Sequence, residues 1–426
     1  MKKHWLILIF VIVIAAVIAV VMSNATPVPR YQDQTVYDWM FSLKSSALES
    51  SPGLMAIGSN AVTYLADVLR IERTKYDRYG WVRSLWFQKL AARLKLGFTW
   101  QKPATEVRRR AVFALLAFSF ASRPALPELH AELMRAQDGD RQTVVYCLSG
   151  LGPLPESIPW LVKAFPLTTN ETYVARHAML HALGNGGTNA AIQAMPLVIA
   201  SLRDREEQIR LVAAQTLARW AQPAPAAIPD LVSLLNSTND SAAMSAAMAL
   251  GKITNRCEEA LPGVRQLLDS TNDYIRAVAT MTLWRLGGEA EETRRLLEGL
   301  LRSRQAKGVA ASSLAQMGPA AKASVPELLK AANEPIGAWV DMYDRAQCAK
   351  AVLRIQGASP EAYAVLETAI TTESNYWVRT TMCGEIAALG ELAGPLLSAL
   401  RRAEKDPHRE VRHEAALALK RLEERR

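Results

Sequence analysis

From Arg108 to the end of the chain, apolar and polar positions return with a period near thirty-four residues. The recurring unit is an Arg, a small residue three places on, an aliphatic residue at plus seven and an apolar residue or Gly at plus ten. Its ten anchor positions are Arg108, Arg141, Arg176, Arg210, Ala243, Arg276, Lys307, Arg345, Arg379 and Arg412. The plus-seven positions are Leu115, Leu148, Leu183, Leu217, Leu250, Leu283, Leu314, Val352, Ile386 and Leu419, without a polar intruder. Residues at zero, three and seven share one face of an α-helix, so this segment reads as helix A. A second apolar run follows about nineteen residues after the anchor, opened by Pro127, Pro159, Pro196, Pro229, Pro262 or Pro326, with Pro395 slightly early. A proline in the first helical turn loses no hydrogen bond and breaks what precedes it, so these prolines should open helix B. Gly287-Gly288 and Gly318-Pro319 should close helix A.

A helical hairpin of this kind cannot bury its apolar stripe alone. Stacked neighbours do so together. The expectation is an all-α chain, a right-handed α-solenoid (superhelix) of about eleven helical-hairpin repeats preceded by one N-terminal transmembrane helix. Its divisions are 1–25 as signal anchor, 26–46 as linker and capping helix, 47–69 as a divergent first repeat, 70–104 as a basic aromatic insertion, and 105–426 as the repeat array. The transmembrane expectation rests on Lys2 and Lys3 before an unbroken apolar run from Trp5 to Met22, long enough to cross a bilayer. The lysines would hold the N-terminus in the cytosol. The rest would then be membrane-anchored and extracytoplasmic, or secreted or periplasmic if the segment is a signal peptide cleaved near Ser23 and Ala25.

Composition changes this picture little. The chain has 426 residues, half of them hydrophobic, and a formal charge of +9. That charge is local. Residues 70–104 hold nine basic groups against Glu72 and Asp77, and Lys2 and Lys3 supply the remainder. The repeats therefore lack the continuous positive field that phosphate tracking needs. The insertion interleaves its bases with Tyr76, Tyr79, Trp81, Trp86, Phe87, Phe98 and Trp100. It reads as an elaborated loop packed on the first repeats, as a membrane or partner contact, or as a surface stacking on nucleic acid bases. Four cysteines, Cys147, Cys257, Cys348 and Cys383, are too few and too scattered for a disulfide framework.

The anchor arginines recur with acids three to six residues earlier, at Asp204, Asp273, Glu373 and Asp406. These acids suit N-caps and carboxylate partners, so Arg108, Arg141, Arg210, Arg276, Arg345, Arg379 and Arg412 read as a structural ladder. The competing reading is a phosphate-binding ladder. Helix B would present Glu128, Glu132, Trp160, Lys163, Asp230, Arg265, Arg295, Glu298, Arg302, Glu327 and Lys330, a mixed-sign set fitted to a protein. No stripe of one sign stands out on it. Contact residues for a partner are then Trp81, Arg83, Trp86, Lys89, Arg93 and Trp100 in the insertion, and Trp160, Lys163, Arg265 and Arg302 in the repeats.

The stretches Ile275-Arg276-Ala277-Val278-Ala279 through Leu283-Trp284-Arg285-Leu286-Gly287, and Leu314-Ala315-Gln316-Met317-Gly318-Pro319 through Val325-Pro326-Glu327-Leu328-Leu329, resemble bacterial HEAT repeats. They are similar too to the HEAT-like repeats of phycobilin lyases. The resemblance covers about 47–422 and implies an α-solenoid used as a binding scaffold, with no catalytic residue to carry over. Tetratricopeptide and ankyrin signatures are absent.

Enzyme motifs are lacking: no Gly-rich phosphate loop follows a strand, and no Gly-x-Ser-x-Gly, His-Glu-x-x-His or Cys-x-x-Cys occurs. His177 and His181 are four apart on one helix, without a third ligand nearby. No catalytic residue, cofactor or metal is expected. The function expected is a membrane-anchored, non-catalytic, protein-binding scaffold whose partner is an unknown protein. The alternatives are a bilin-lyase-like enzyme, or nucleic-acid or membrane-surface binding through the insertion; nucleic acid is not the expected partner.

Overall fold

The structure, a computed structural model, describes residues 29–42, 52–70, 104–136, 138–152, 155–168, 173–253, 257–335 and 339–424. Apart from a two-stranded hairpin of β1 (Arg30–Tyr31) and β2 (Gln34–Thr35), these residues are helices and their connections. The chain falls into two compact units, 1–194 and 195–426.

In the first unit α1 (Val36–Ser42), α2 (Pro52–Ile57) and α3 (Ser59–Leu69) precede the hairpins α4 (Ala104–Phe118) with α5 (Leu126–Arg135), and α6 (Asp138–Gly150) with α7 (Ile158–Ala164). Next comes α8 (Tyr173–Asn185), and α9 (Gly187–Ser201) carries the boundary. Helix α1 lies where a capping helix is expected. Helix α3 packs against α4 and α5, so the stack resumes on the far side of residues 71–103. Two side chains fasten that junction: Arg70 donates to Glu128 at 2.5 and 2.8 Å, and Arg135 donates to the Leu69 carbonyl at 2.8 Å, closing the C-terminal end of α3.

The second unit continues with the hairpins α10 (Glu207–Trp220) with α11 (Ile228–Leu235), α12 (Asp240–Ile253) with α13 (Leu261–Gln266), and α14 (Asp273–Arg285) with α15 (Ala290–Leu300). After these come α16 (Lys307–Met317) with α17 (Val325–Ala332), α18 (Trp339–Gln356) with α19 (Pro360–Thr371), α20 (Tyr376–Ala387) with α21 (Leu397–Ala403), and the closing helix α22 (Arg409–Glu423). The core is a seam of the periodic aliphatics. Leu217, Leu250, Leu314, Val352 and Ile386 are all but inaccessible to water, and full burial of such a side chain stabilises by about 1.5 to 3 kcal/mol. Leu283 departs from the pattern. It is only half-buried, and Leu286, three residues on, takes the buried place.

Pro127, Pro159, Pro229, Pro262 and Pro326 stand in the first turn of their B helices, each preceded by a short 3-10 turn. Pro196 does not: α9 starts at Gly187 and carries the proline inside. Gly187 has a φ of +61° and turns the chain straight into the helix, so the proline is not needed there to start it. Pro395 lies in a 3-10 segment, Gly390–Leu396, ahead of α21.

The expected membrane anchor is a correction. Among the described residues no helix is long and apolar enough to cross a membrane, and the run from Trp5 to Met22 on which the expectation rested lies outside the described residues. The membrane-anchored, extracytoplasmic assignment is withdrawn.

Candidate functional site

The loops that lead from each helix B into the next helix A form the most repetitive surface of the second unit. Six residues ahead of five anchor positions stand Asp204, Ser237, Ser270, Glu373 and Asp406. Each side-chain oxygen accepts from the amide two residues on, at 2.8 to 3.1 Å. Three of those second residues are asparagines, Asn239, Asn272 and Asn375, whose own side chains accept from amides in the first helical turn. The anchor arginine then reaches back to the loop carbonyls. Arg210 donates to Asp204 and Arg205 at 2.9 and 3.1 Å, Arg379 to Glu373 and Ser374 at 2.5 and 3.1 Å, and Arg412 to Asp406 and Pro407 at 2.7 and 2.8 Å. Arg276 lies 3.4 Å from the Ser270 carbonyl and pairs with Asp273. Arg141, in the first unit, donates to the carbonyls of Leu133, Ala136 and Leu167 at 3.2, 2.5 and 3.4 Å. Arg345 donates to Ala332 at 2.6 Å. Arg108 instead meets the Glu132 carboxylate at 3.1 Å.

This arrangement corrects the pairing expected of the acids. Asp204 and Glu373 cap their loop through the carboxylate and offer their own arginine a backbone carbonyl. The physical reason is reach: the loop after helix B folds back so that its own carbonyls face the guanidinium. Asp406 does both jobs. Its carboxylate caps the loop and also receives Arg379 of the preceding repeat through both oxygens, at 2.7 and 3.0 Å. That guanidinium holds the Asp406 carboxyl below the usual carboxylate range.

Along the same loop edge a cleft of about 290 Å³ opens between Arg302, Arg304, Lys307, Glu334, Pro335, Asp344 and Arg345. Four cations face two carboxylates in it, and Lys307 is paired with Glu334. Next to Asp344 in sequence, Tyr343 packs against Trp377 with ring centroids 5.5 Å apart, and Tyr376 stacks on His408 at 4.6 Å. Trp377 and Tyr376 are 47% and 45% exposed, a large apolar area for the first turn of a helix.

Residues 194–284 match the family model of HEAT repeats. That stretch of the chain is made of HEAT repeats. No curated protein matches it in sequence. Among solved structures it is similar to an engineered protein at 19% identity, with 91% of this chain and 98% of that one covered and a TM-score of 0.36. It is also similar to the complex of CpcE and CpcF of phycocyanin lyase from Nostoc sp., at 20% identity, 60% and 94% coverage and a TM-score of 0.41. A third is a karyopherin bound to the extreme C-terminus of a protein phosphatase, at 13% identity, 90% and 45% coverage and a TM-score of 0.35.

The HEAT repeats place the expected contact residues unevenly. Arg302 lines the cleft, and Arg265 is exposed on α13. Trp160, 37% exposed, stacks on His130 at 5.3 Å and has Lys163 5.9 Å from its ring centre. His130 itself is buried, 2.9 Å from the Ser157 hydroxyl, and loss of hydration pulls its pKa down. Trp81, Arg83, Trp86, Lys89, Arg93 and Trp100 lie outside the described residues. Glu128 and Glu132, expected on the face of helix B, are buried against Arg70, Arg108 and Arg135. Their carboxylates turn inward toward Arg70 and Arg108 across the junctions, and Arg135, one turn along the same helix, closes on Glu132.

All four cysteines are free and buried, and burial pushes the thiols of Cys147, Cys348 and Cys383 up to about 12. They are poor nucleophiles at neutral pH. Among the described residues no three His, Cys, Asp or Glu side chains are grouped to hold a metal ion. Sequence reasoning overlooked Arg304 and the aromatic pairs. Their signal was present in the register: Tyr274, Tyr343 and Trp377 all stand two residues before an anchor.

Proposed function

We propose that this HEAT-repeat protein is a non-catalytic scaffold that binds another protein, using the loop edge of its second unit. The observation that carries the reading is the charged cleft around Arg302 with the exposed Tyr376 and Trp377 on the same edge. Exposed aromatic and arginine side chains together are what protein interfaces enrich in their energetic centres. On this reading the anchor arginines hold repeat to repeat, and Arg265 and Arg302 face the partner. A bilin would require an apolar enclosure of tetrapyrrole size, whereas the cleft is walled by charged side chains.

The test is affinity capture by the whole chain, compared with the double variant Tyr376→Ala, Trp377→Ala. The scaffold reading expects one protein retained by the wild type, lost by the variant, at unchanged helical content. If both retain the same proteins equally, this edge is not the binding surface.

A further inference from the structure

The helices that carry the anchor positions carry a second register at the opposite end, cationic at four of five places. Nine residues after the anchor stand Arg219 on α10, Lys252 on α12, Arg285 on α14, Gln316 on α16 and Arg354 on α18. These five helices pack in that order within the second unit, so one register position on each falls into a single file. Arg285 donates to Gln316 across one of the junctions, which shows that adjacent rungs touch.

The surroundings of this file are unlike those of the anchors. The Lys252 ammonium is held below the usual lysine range, first by loss of hydration and then by Arg285 and Arg219, one cation on each side. Lys252 as a residue is exposed, so its ammonium loses hydration against the helix surface and not by enclosure. Burial likewise lowers the pKa of Arg285. No carboxylate is paired with Lys252, Arg285 or Arg354 among the described residues. One and two turns before the cations, Leu211, Gln215, Met244 and Met248 are partly exposed and uncharged. A cation in the last turn of a helix gains from the helix dipole, which accounts for one such residue on one helix. It does not account for the mutual repulsion of successive rungs, which opposes folding.

We propose that this file is a docking site for an extended acidic segment of a partner protein, whose carboxylates meet Arg219, Lys252 and Arg285 in turn. The inference rests on the scaffold reading and names its partner's chemistry. Spacing favours a peptide: packed helices stand about 8 to 10 Å apart, and an extended chain in the polyproline II form advances about 3.1 Å per residue with three residues per turn, so every third side chain returns to one face. An acid at every third residue therefore keeps step with the rungs. The uncharged strip beside them suits the intervening side chains. A nucleic acid is disfavoured by the unit's near balance of 29 basic and 28 acidic residues in 195–426 and by the absence of stacking aromatics among the named flanking residues.

The experiment uses the whole chain and a fluorescent, proline-rich peptide of about twelve residues in the polyproline II form, with glutamate at every third position. Controls are a peptide of the same composition with its glutamates contiguous, and a single-stranded oligonucleotide of equal charge. The proposal expects the spaced peptide to bind best, and the triple variant R219Q/K252Q/R285Q to lose at least about tenfold in affinity at unchanged helical content. Lys252→Glu alone should lose the acidic peptide and gain the matching peptide with lysine at every third position, which a merely structural cation would not produce. Equal binding to wild type and triple variant would overturn the proposal, as would preference for the oligonucleotide or for the contiguous peptide. If the triple variant fails to fold, the Lys252→Glu exchange decides by itself. Should the spaced peptide bind normally to the triple variant but be lost by Y376A/W377A, the scaffold reading survives and the file does not.

Discussion

Two files of cations run through the second unit on the same helices, nine residues apart, and their energetics are opposite. At the start of each helix A, Arg210, Arg276, Arg379 and Arg412 face loop carbonyls. At its end, Lys252 lies beside Arg285 with no carboxylate paired to either among the described residues, and Arg285 donates only to the Gln316 side chain. Residue type is the same in both. What differs is what the backbone offers: the loop after helix B turns its carbonyls toward the first file, while beside the second the exit turn of helix A is closed by its own residues, as at Ala221, Leu286 and Gly318. A guanidinium that completes a backbone is structural; one that completes nothing is available to a ligand.

The contrast is sharpest at Arg379, buried and bonded to two carbonyls and both Asp406 oxygens. Arg379→Ala leaves a buried carboxylate alone, and a loss of about 3 to 5 kcal/mol is expected, read as a lowered midpoint in urea. A loss under about 1 kcal/mol would remove the distinction between the two files.

The same pair sets an acid limb. Because Arg379 depresses the Asp406 carboxyl, the folded state takes up that proton less readily than the unfolded chain. The stabilisation is fully present above the unfolded-state value of about 3.9 and drains away as the pH falls toward the lower folded-state value. Asp406→Asn should flatten the fall in stability below about pH 4. Melts across that range check it; an unchanged acid limb would mean the pair is not formed in solution.

Arg276 ranks lower. Its side chain is 39% exposed and its carboxylate partner is three residues away on the same helix, so Arg276→Ala should cost only about 0.5 to 1 kcal/mol. The smallest effect belongs to the second file. Lys252→Gln removes a cation with two like-charged neighbours and should change stability by less than about 0.5 kcal/mol. A loss as large as that of Arg379→Ala would show that the second file also holds the fold together.

Much of this was legible in the residues. The plus-seven aliphatics announced helix A and its buried face, and prolines announced five B helices, because burial and helix starts are decided by local periodicity and by one missing amide. The anchors were legible as a ladder, but their partners were not: whether Asp406 meets its own arginine or the previous repeat's depends on a loop path that no spacing encodes. The second file escaped for the same reason. A cation every thirty-odd residues is unremarkable in a linear chain with nearly balanced charge, and only packing sets Arg219, Lys252 and Arg285 side by side.

What the sequence determined by itself is therefore the repeat, its helices and its seam, since each follows from contacts within one hairpin or from identical positions in the next. The tertiary structure decided which charges are spent and which remain. That depends on distances across helices, and on whether a carbonyl, a carboxylate or another cation stands at the far end.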